Sequence, residues 1–144
     1  MIGGTTIIAL TVGTLLAATV GAFAHIVGYD RDRSFYAVVL TVVGSLYVLF
    51  TLTGAGGDGL VPEIGFFAVF AALAAVGFRT SPWIIAFGLA LHGVFDLIRA
   101  TLLPAPGAPG WWPAFCGSYD IVAAFGLAAL LILQGRKRRD PAGR

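Results

Sequence analysis

His92, Asp96 and Arg99 stand at i, i+4 and i+7 inside the apolar run Trp83-Ile-Ile-Ala-Phe-Gly-Leu-Ala-Leu-His-Gly-Val-Phe-Asp-Leu-Ile-Arg. At 100° per residue they fall within about 60° of one another on a helix, and Gly88 continues the same stripe. Side chains four apart on a helix carry Cβ atoms about 5–6 Å apart, so His92 and Asp96 can touch. An imidazole beside a carboxylate is a proton-exchanging pair: the ring titrates near neutrality and the acid orients it. Cys116 and Asp120 repeat the i, i+4 spacing further along, with Tyr119 beside them. His92, Asp96 and Asp120 are therefore the candidate catalytic residues. Arg99 is suited to hold an anionic or developing negative group.

These residues need a scaffold, and composition restricts it. The chain has 144 residues, of which 58% are hydrophobic and 11% charged, with a mean hydropathy of +0.92. A water-soluble domain carries about 25% charged residues, so most of this surface must face lipid. Five apolar runs, 5–27, 35–53, 60–78, 82–103 and 115–133, approach the ~20 residues that cross ~30 Å of hydrocarbon. Helix is the form that satisfies every backbone group within one segment. The expected fold is an all-α, five-helix transmembrane bundle forming a single integral membrane domain over 1–144. Its 20 glycines fit close helix packing.

Charge placement sets the expected orientation. Arg136, Lys137, Arg138, Arg139 and Arg144 crowd the tail 134–144, while Arg31, Arg33 and Arg79 lie in loops of the same side. Only Arg99 is left for the other side. The positive-inside rule gives an outside N-terminus and a cytoplasmic C-terminus. The basic tail reads as an anchor on anionic headgroups rather than a nucleic-acid site. Ala22-Phe-Ala24 resembles a signal-peptide cleavage site, but no basic segment precedes it and the apolar run is too long. In Arg79-Thr-Ser-Pro, Thr80 or Ser81 is the expected N-cap of the fourth span, with Pro82 at its first position.

Helix rise then places the polar groups by depth. The fourth span runs outward, so His92 falls near the midplane, Asp96 ~6 Å further out and Arg99 ~10 Å further out. The fifth span enters from outside and puts Asp120 ~7 Å below the boundary, about 8 Å above the midplane. Asp96 and Asp120 thus share a layer in the outer half. Ionisable groups at membrane depth are costly and mark function by default. Glu63 at the outer end of the third span and Tyr47 in the outer half of the second join the ligand-binding candidates. So do Arg99, Cys116 and Tyr119, and Trp111 with Trp112 as a lid.

Each has a plainer reading. Asp96 and Arg99 are also placed to be a structural ion pair. Glu63 is equally a charge favoured at a helix N-terminus. Trp111 and Trp112 equally fit an interfacial aromatic belt, and Cys116 a packing residue. His25, with Tyr29 at i+4, is far in depth from the rest and reads as structural. His92, Asp96, Glu63, Asp120 and Cys116 are metal-ligand types, but H-x-x-x-D is the sole spacing signal, and no metal is assigned. No cofactor motif is present: no P-loop, dinucleotide fingerprint, HExxH or C-x-x-C-H. One cysteine excludes an internal disulfide.

The segments His92-Gly-Val-Phe-Asp96, Pro109-Gly-Trp-Trp-Pro113-Ala-Phe-Cys116 with Tyr119-Asp120, and Asp30-Arg-Asp-Arg33-Ser-Phe-Tyr36 resemble a group of short bacterial inner-membrane proteins of unknown function. The resemblance implies a multi-pass protein of a bacterial inner membrane and adds no activity. At fold level the arrangement is also similar to small sterol-isomerase-type bundles, which set acids and a histidine in a membrane pocket.

The expectation is a polar pocket in the outer half of the bilayer. It would bind a small or lipid-like molecule, with its tail among Phe66, Phe67 and Phe70, and His92 and Asp96 would supply acid–base chemistry. Whether the chain is an enzyme is left open. The alternatives are a non-catalytic subunit of a larger membrane complex and a proton-coupled transporter. Membrane lipids, a second copy or a larger complex are the expected partners, and nucleic acid is not.

Overall fold

The computed structural model describes residues 3–31 and 33–139. Asp32 and, in the basic tail, residues 140–144 with Arg144 lie outside the described residues. Each of the five apolar runs is a helix: α1 (Gly4–Val27), α2 (Ser34–Gly54), α3 (Leu60–Arg79), α4 (Pro82–Thr101) and α5 (Trp112–Arg139). All five are long and apolar enough to cross a membrane, and the described residues hold no strand.

Local chemistry sets the ends. Gly28 closes α1 in the left-handed conformation at φ 87°, which a residue with a Cβ rarely adopts. Ser81 is the N-cap of α4 with Pro82 beside it in the first turn. The Ser81 hydroxyl makes no capping bond, and the Thr80 hydroxyl instead donates back to Val76 O at 2.6 Å. Helix α5 begins three residues before the expected 115 and runs six past the expected 133. Gln134 and the basic residues are good helix formers, and cations at a helix C-terminus are favoured by the dipole.

The packing order is not the chain order. Helix α4 packs on α5 and α3, and touches α2; α2 packs on α3; α1 packs on the far side of α5. Helices α2 to α5 therefore surround a common interior, and α1 is an outrigger. The outside is apolar, with Ile8, Leu15, Phe87 and Phe125 65%, 61%, 59% and 72% exposed. The polar groups are inside: Thr51, Glu63, His92, Asp96, Arg99 and Asp120 are all buried. Such inversion is what a lipid solvent selects.

The loop between α4 and α5 folds back over the end of α2. Thr51 Oγ1 donates to Pro106 O at 3.2 Å, and a Cβ on Gly54 would lie 2.8 Å from Gly107 Cα. Gly107 itself sits at φ 74°, against Phe50 O. Glycine is required on both sides of this contact, which ties the 104–110 loop down over one end of the bundle.

Candidate functional site

Two glycines make the site possible. Gly93 on α4 faces Gly117 on α5: a Cβ at Gly93 would lie 3.1 Å from Gly117 O, and a Cβ at Gly117 would lie 3.2 Å from both Gly93 O and Asp96 Cβ. The two backbones approach closely because neither residue has a side chain. That approach sets Asp120 against His92. The His92 Nδ1 atom lies 2.6 Å from Asp120 Oδ2 and 3.5 Å from Asp96 Oδ2, with the side chains 1% and 0% exposed. A carboxylate accepts only, so with Asp120 ionised Nδ1–H donates.

Neighbouring helices complete the shell. Tyr47 on α2 donates its hydroxyl to Asp96 Oδ1 at 2.5 Å. The Cys116 thiol, one turn before Asp120, donates to Asp120 Oδ2 at 3.6 Å. Phe70 from α3 meets the imidazole edge-on, ring centroids 4.6 Å apart, and Phe95 lies 5.9 Å away. One layer along α4, Arg99 donates to Glu63 of α3 in a buried ion pair and lies over the Tyr47 ring at 5.0 Å. Several buried polar atoms keep no hydrogen-bond partner: His92 Nε2, Asp96 Oδ2, Asp120 Oδ1, Glu63 Oε2, Arg99 Nε and Trp112 Nε1. In a protein interior such atoms are rare and each calls for a ligand, an ion or water.

His92, Asp96 and Asp120 meet as the sequence expects, and Tyr47, Cys116, Glu63 and Arg99 are in or beside the cluster. The Asp96–Arg99 pair does not form. Arg99 pairs with Glu63 across α3 and α4, because Asp96 already accepts from Tyr47. Glu63 lies in the first turn of α3, where a helix N-terminus favours an acid, and is 2% exposed. Trp111 is 43% exposed and meets Trp112 and Phe115 edge-on. Trp112 is half-buried and packs edge-on against Phe50 at 4.8 Å. Trp112 also lines an apolar crevice, beside Cys116 and Tyr119. His25 pairs with Asp30, Nδ1 to Oδ2 at 2.8 Å, and Tyr29 turns to Phe23 instead.

The expected tail site is also corrected. Phe70 is 4% exposed and Phe66 packs against Phe95 at 4.8 Å, so these rings fill space beside the polar cluster. The open space is elsewhere. An apolar crevice of about 290 Å³ lies among α1, α2 and α5, lined by Leu16, Val42, Leu46, Trp112, Cys116 and Tyr119. A second, of about 300 Å³, continues from it through the shared Val20, Val39 and Tyr119 to Tyr36, Gly126 and Leu130. Tyr119 thus belongs to the crevice wall. The crevice exists because α1 leans on α5 and leaves α2. Sequence reasoning missed it, and it missed Gly93 and Gly117, whose signal was a glycine immediately after His92 and after Cys116.

Four side chains of three ligand types, an imidazole, a thiol and two carboxyls, converge. One ligand atom each from His92, Asp96, Cys116 and Asp120 lies within 4.8 Å of every other, and all four residues are buried. No protein family, curated protein or solved structure matches this chain.

Proposed function

We propose that this is a multi-pass protein of a bacterial inner membrane, with an outside N-terminus and a cytoplasmic C-terminus. It binds a small or lipid-like molecule at the His92–Asp120–Asp96 centre in the outer half of the bilayer. The apolar part of the ligand lies in the α1–α2–α5 crevice. Its polar end faces Cys116 and, behind it, the Asp120–His92 pair. His92 exchanges protons through Nε2, and Asp120 and Asp96 hold its ring in one orientation.

One observation carries this reading: the His92–Asp120 contact of 2.6 Å is fully buried, yet the crevice reaches Cys116, whose thiol bonds to the same carboxylate oxygen. Orientation rests on the cation asymmetry of the sequence, and the bacterial assignment on the resemblance of its motifs. A transport path has weaker support. Inward of His92 the buried stripe of α4 continues as Leu89, Ala86 and Ile85.

The test is lipid and metabolite analysis of the protein purified in mild detergent. His92→Ala and Asp96→Asn are expected to lose a molecule that copurifies with the parent chain. A bulky Leu16→Trp in the crevice should lose it as well. Unchanged occupancy in all three would sink the reading.

A further inference from the structure

We propose that His92, Asp96, Cys116 and Asp120 form a site for one divalent transition-metal ion of the zinc class. This rests on the reading of the same cluster as a binding centre and names an inorganic occupant for it. The geometry is close to what such an ion needs. Four ligands at about 2.0–2.3 Å from zinc stand about 3.3–3.8 Å from one another in a tetrahedron. Here His92 Nδ1 and Asp96 Oδ2 are 3.5 Å apart, and Cys116 Sγ and Asp120 Oδ2 are 3.6 Å apart. The 2.6 Å His92–Asp120 contact must open by about 1 Å as Nδ1 and the Cys116 thiol release their protons to solvent, and one ligand atom from each residue lies within 4.8 Å of the others.

Charge points the same way. Arg99 pairs with Glu63, which leaves the Asp96 and Asp120 carboxyls with only the His92 imidazole as a possible counter-charge. Both side chains are fully buried. Unpaired charge in such a place is expensive, and one divalent ion balances two carboxylates. The unpartnered Asp96 Oδ2, wholly buried, points at the imidazole that would share the ion. Tyr47 pins the other oxygen of the same carboxylate, the outer support that metal ligands commonly have. A thiol, an imidazole and two carboxylates favour zinc or cobalt over magnesium or calcium, which take oxygen alone.

The full chain, purified in detergent and stripped with a chelator, is titrated with Zn²⁺ or Co²⁺. Saturation at one ion per chain is expected, and Co²⁺ should give a thiolate charge-transfer band with strong four-coordinate visible bands. Cys116→Ser should abolish that band while cobalt still binds. His92→Gln should weaken binding beyond about a hundredfold and Tyr47→Phe by about tenfold, while His25→Ala changes nothing. The proposal is overturned if the stripped parent takes up no stoichiometric ion. It is equally overturned if cobalt binds without a thiolate band, or if the affinity drops with His25→Ala and not with His92→Gln. The first two of these outcomes are read on the parent chain alone. If metal is absent while His92→Ala still releases a copurified molecule, the binding centre stands and the metal falls. If neither changes, both fall.

Discussion

Helices α1 and α4 are alike in length and both carry polar residues, but they use them in opposite ways. Two exposed threonines of α1 bond to their own helix: Thr11 donates to Ile7 O at 2.9 Å and Thr19 to Leu15 O at 2.8 Å. The buried residues of α1 are Ala9, Gly13, Ala17 and Ala24, a stripe of small side chains laid on α5. Helix α4 instead buries His92, Asp96 and Arg99, each of which meets a partner from another helix. A hydroxyl can be satisfied by the carbonyl one turn back, whereas a carboxylate or guanidinium cannot. Polarity in an apolar helix therefore marks a site only when the group must look outside its own helix for a partner.

Breaking the α4 side should have the largest effect. Glu63→Ala leaves the Arg99 guanidinium buried and unpaired, with an expected loss of about 3–5 kcal/mol. Replacing both members, Glu63→Gln with Arg99→Met, should recover most of it, because no charge is then stranded. Unfolding in mixed micelles titrated with SDS measures both. Equal losses in the single and double variants would show that Arg99 has another partner. The α1 side breaks by volume instead. A Cβ at Gly13 would collide with Phe115 O and Ser118 Oγ, so Gly13→Ala should lose about 1–3 kcal/mol. Gly126 on α5 has open space around it, and Gly126→Ala should be neutral within about 0.5 kcal/mol. A reversed ranking would mean that α1 does not pack on α5 through its small stripe.

Tyr47→Phe probes one hydrogen bond of the cluster and keeps the ring under Arg99. The expected loss is about 1 kcal/mol, in the range of membrane hydrogen bonds. The same variant should broaden the His92 ring signals in NMR, since Asp96 loses the group that fixes it. Sharp, unshifted signals would place the restraint on Asp120 alone.

Much of this contrast was legible in the residues. The i, i+4 spacing of His92 and Asp96 put both on one face, and helix rise put Asp120 at the level of Asp96 without any knowledge of packing. What was not legible is rotation and neighbour order. Arg99 had Asp96 within reach on its own helix, and only the placement of α3 and α2 decides that Glu63 takes the guanidinium and Tyr47 the carboxylate. Phe66 and Phe70 looked like a cavity wall because aromatic runs do not tell packed from lining. The crevice depends on α1 leaning on α5 rather than α2, which no local pattern records.

The smallest effect tests the other half of the comparison. Thr11→Val and Thr19→Val remove hydroxyls that bond within α1 and stand on its exposed faces. The carbonyl each one loses keeps its own helical N–H partner, and valine presents a similar surface to lipid. Stability should therefore stay within about 0.5 kcal/mol of the parent, singly and together. Ligand or metal occupancy at His92 should not move at all. A loss above 1 kcal/mol on the same scale, or any change in occupancy, would mean that these hydroxyls face a partner outside the monomer and that α1 is more than an apolar strut.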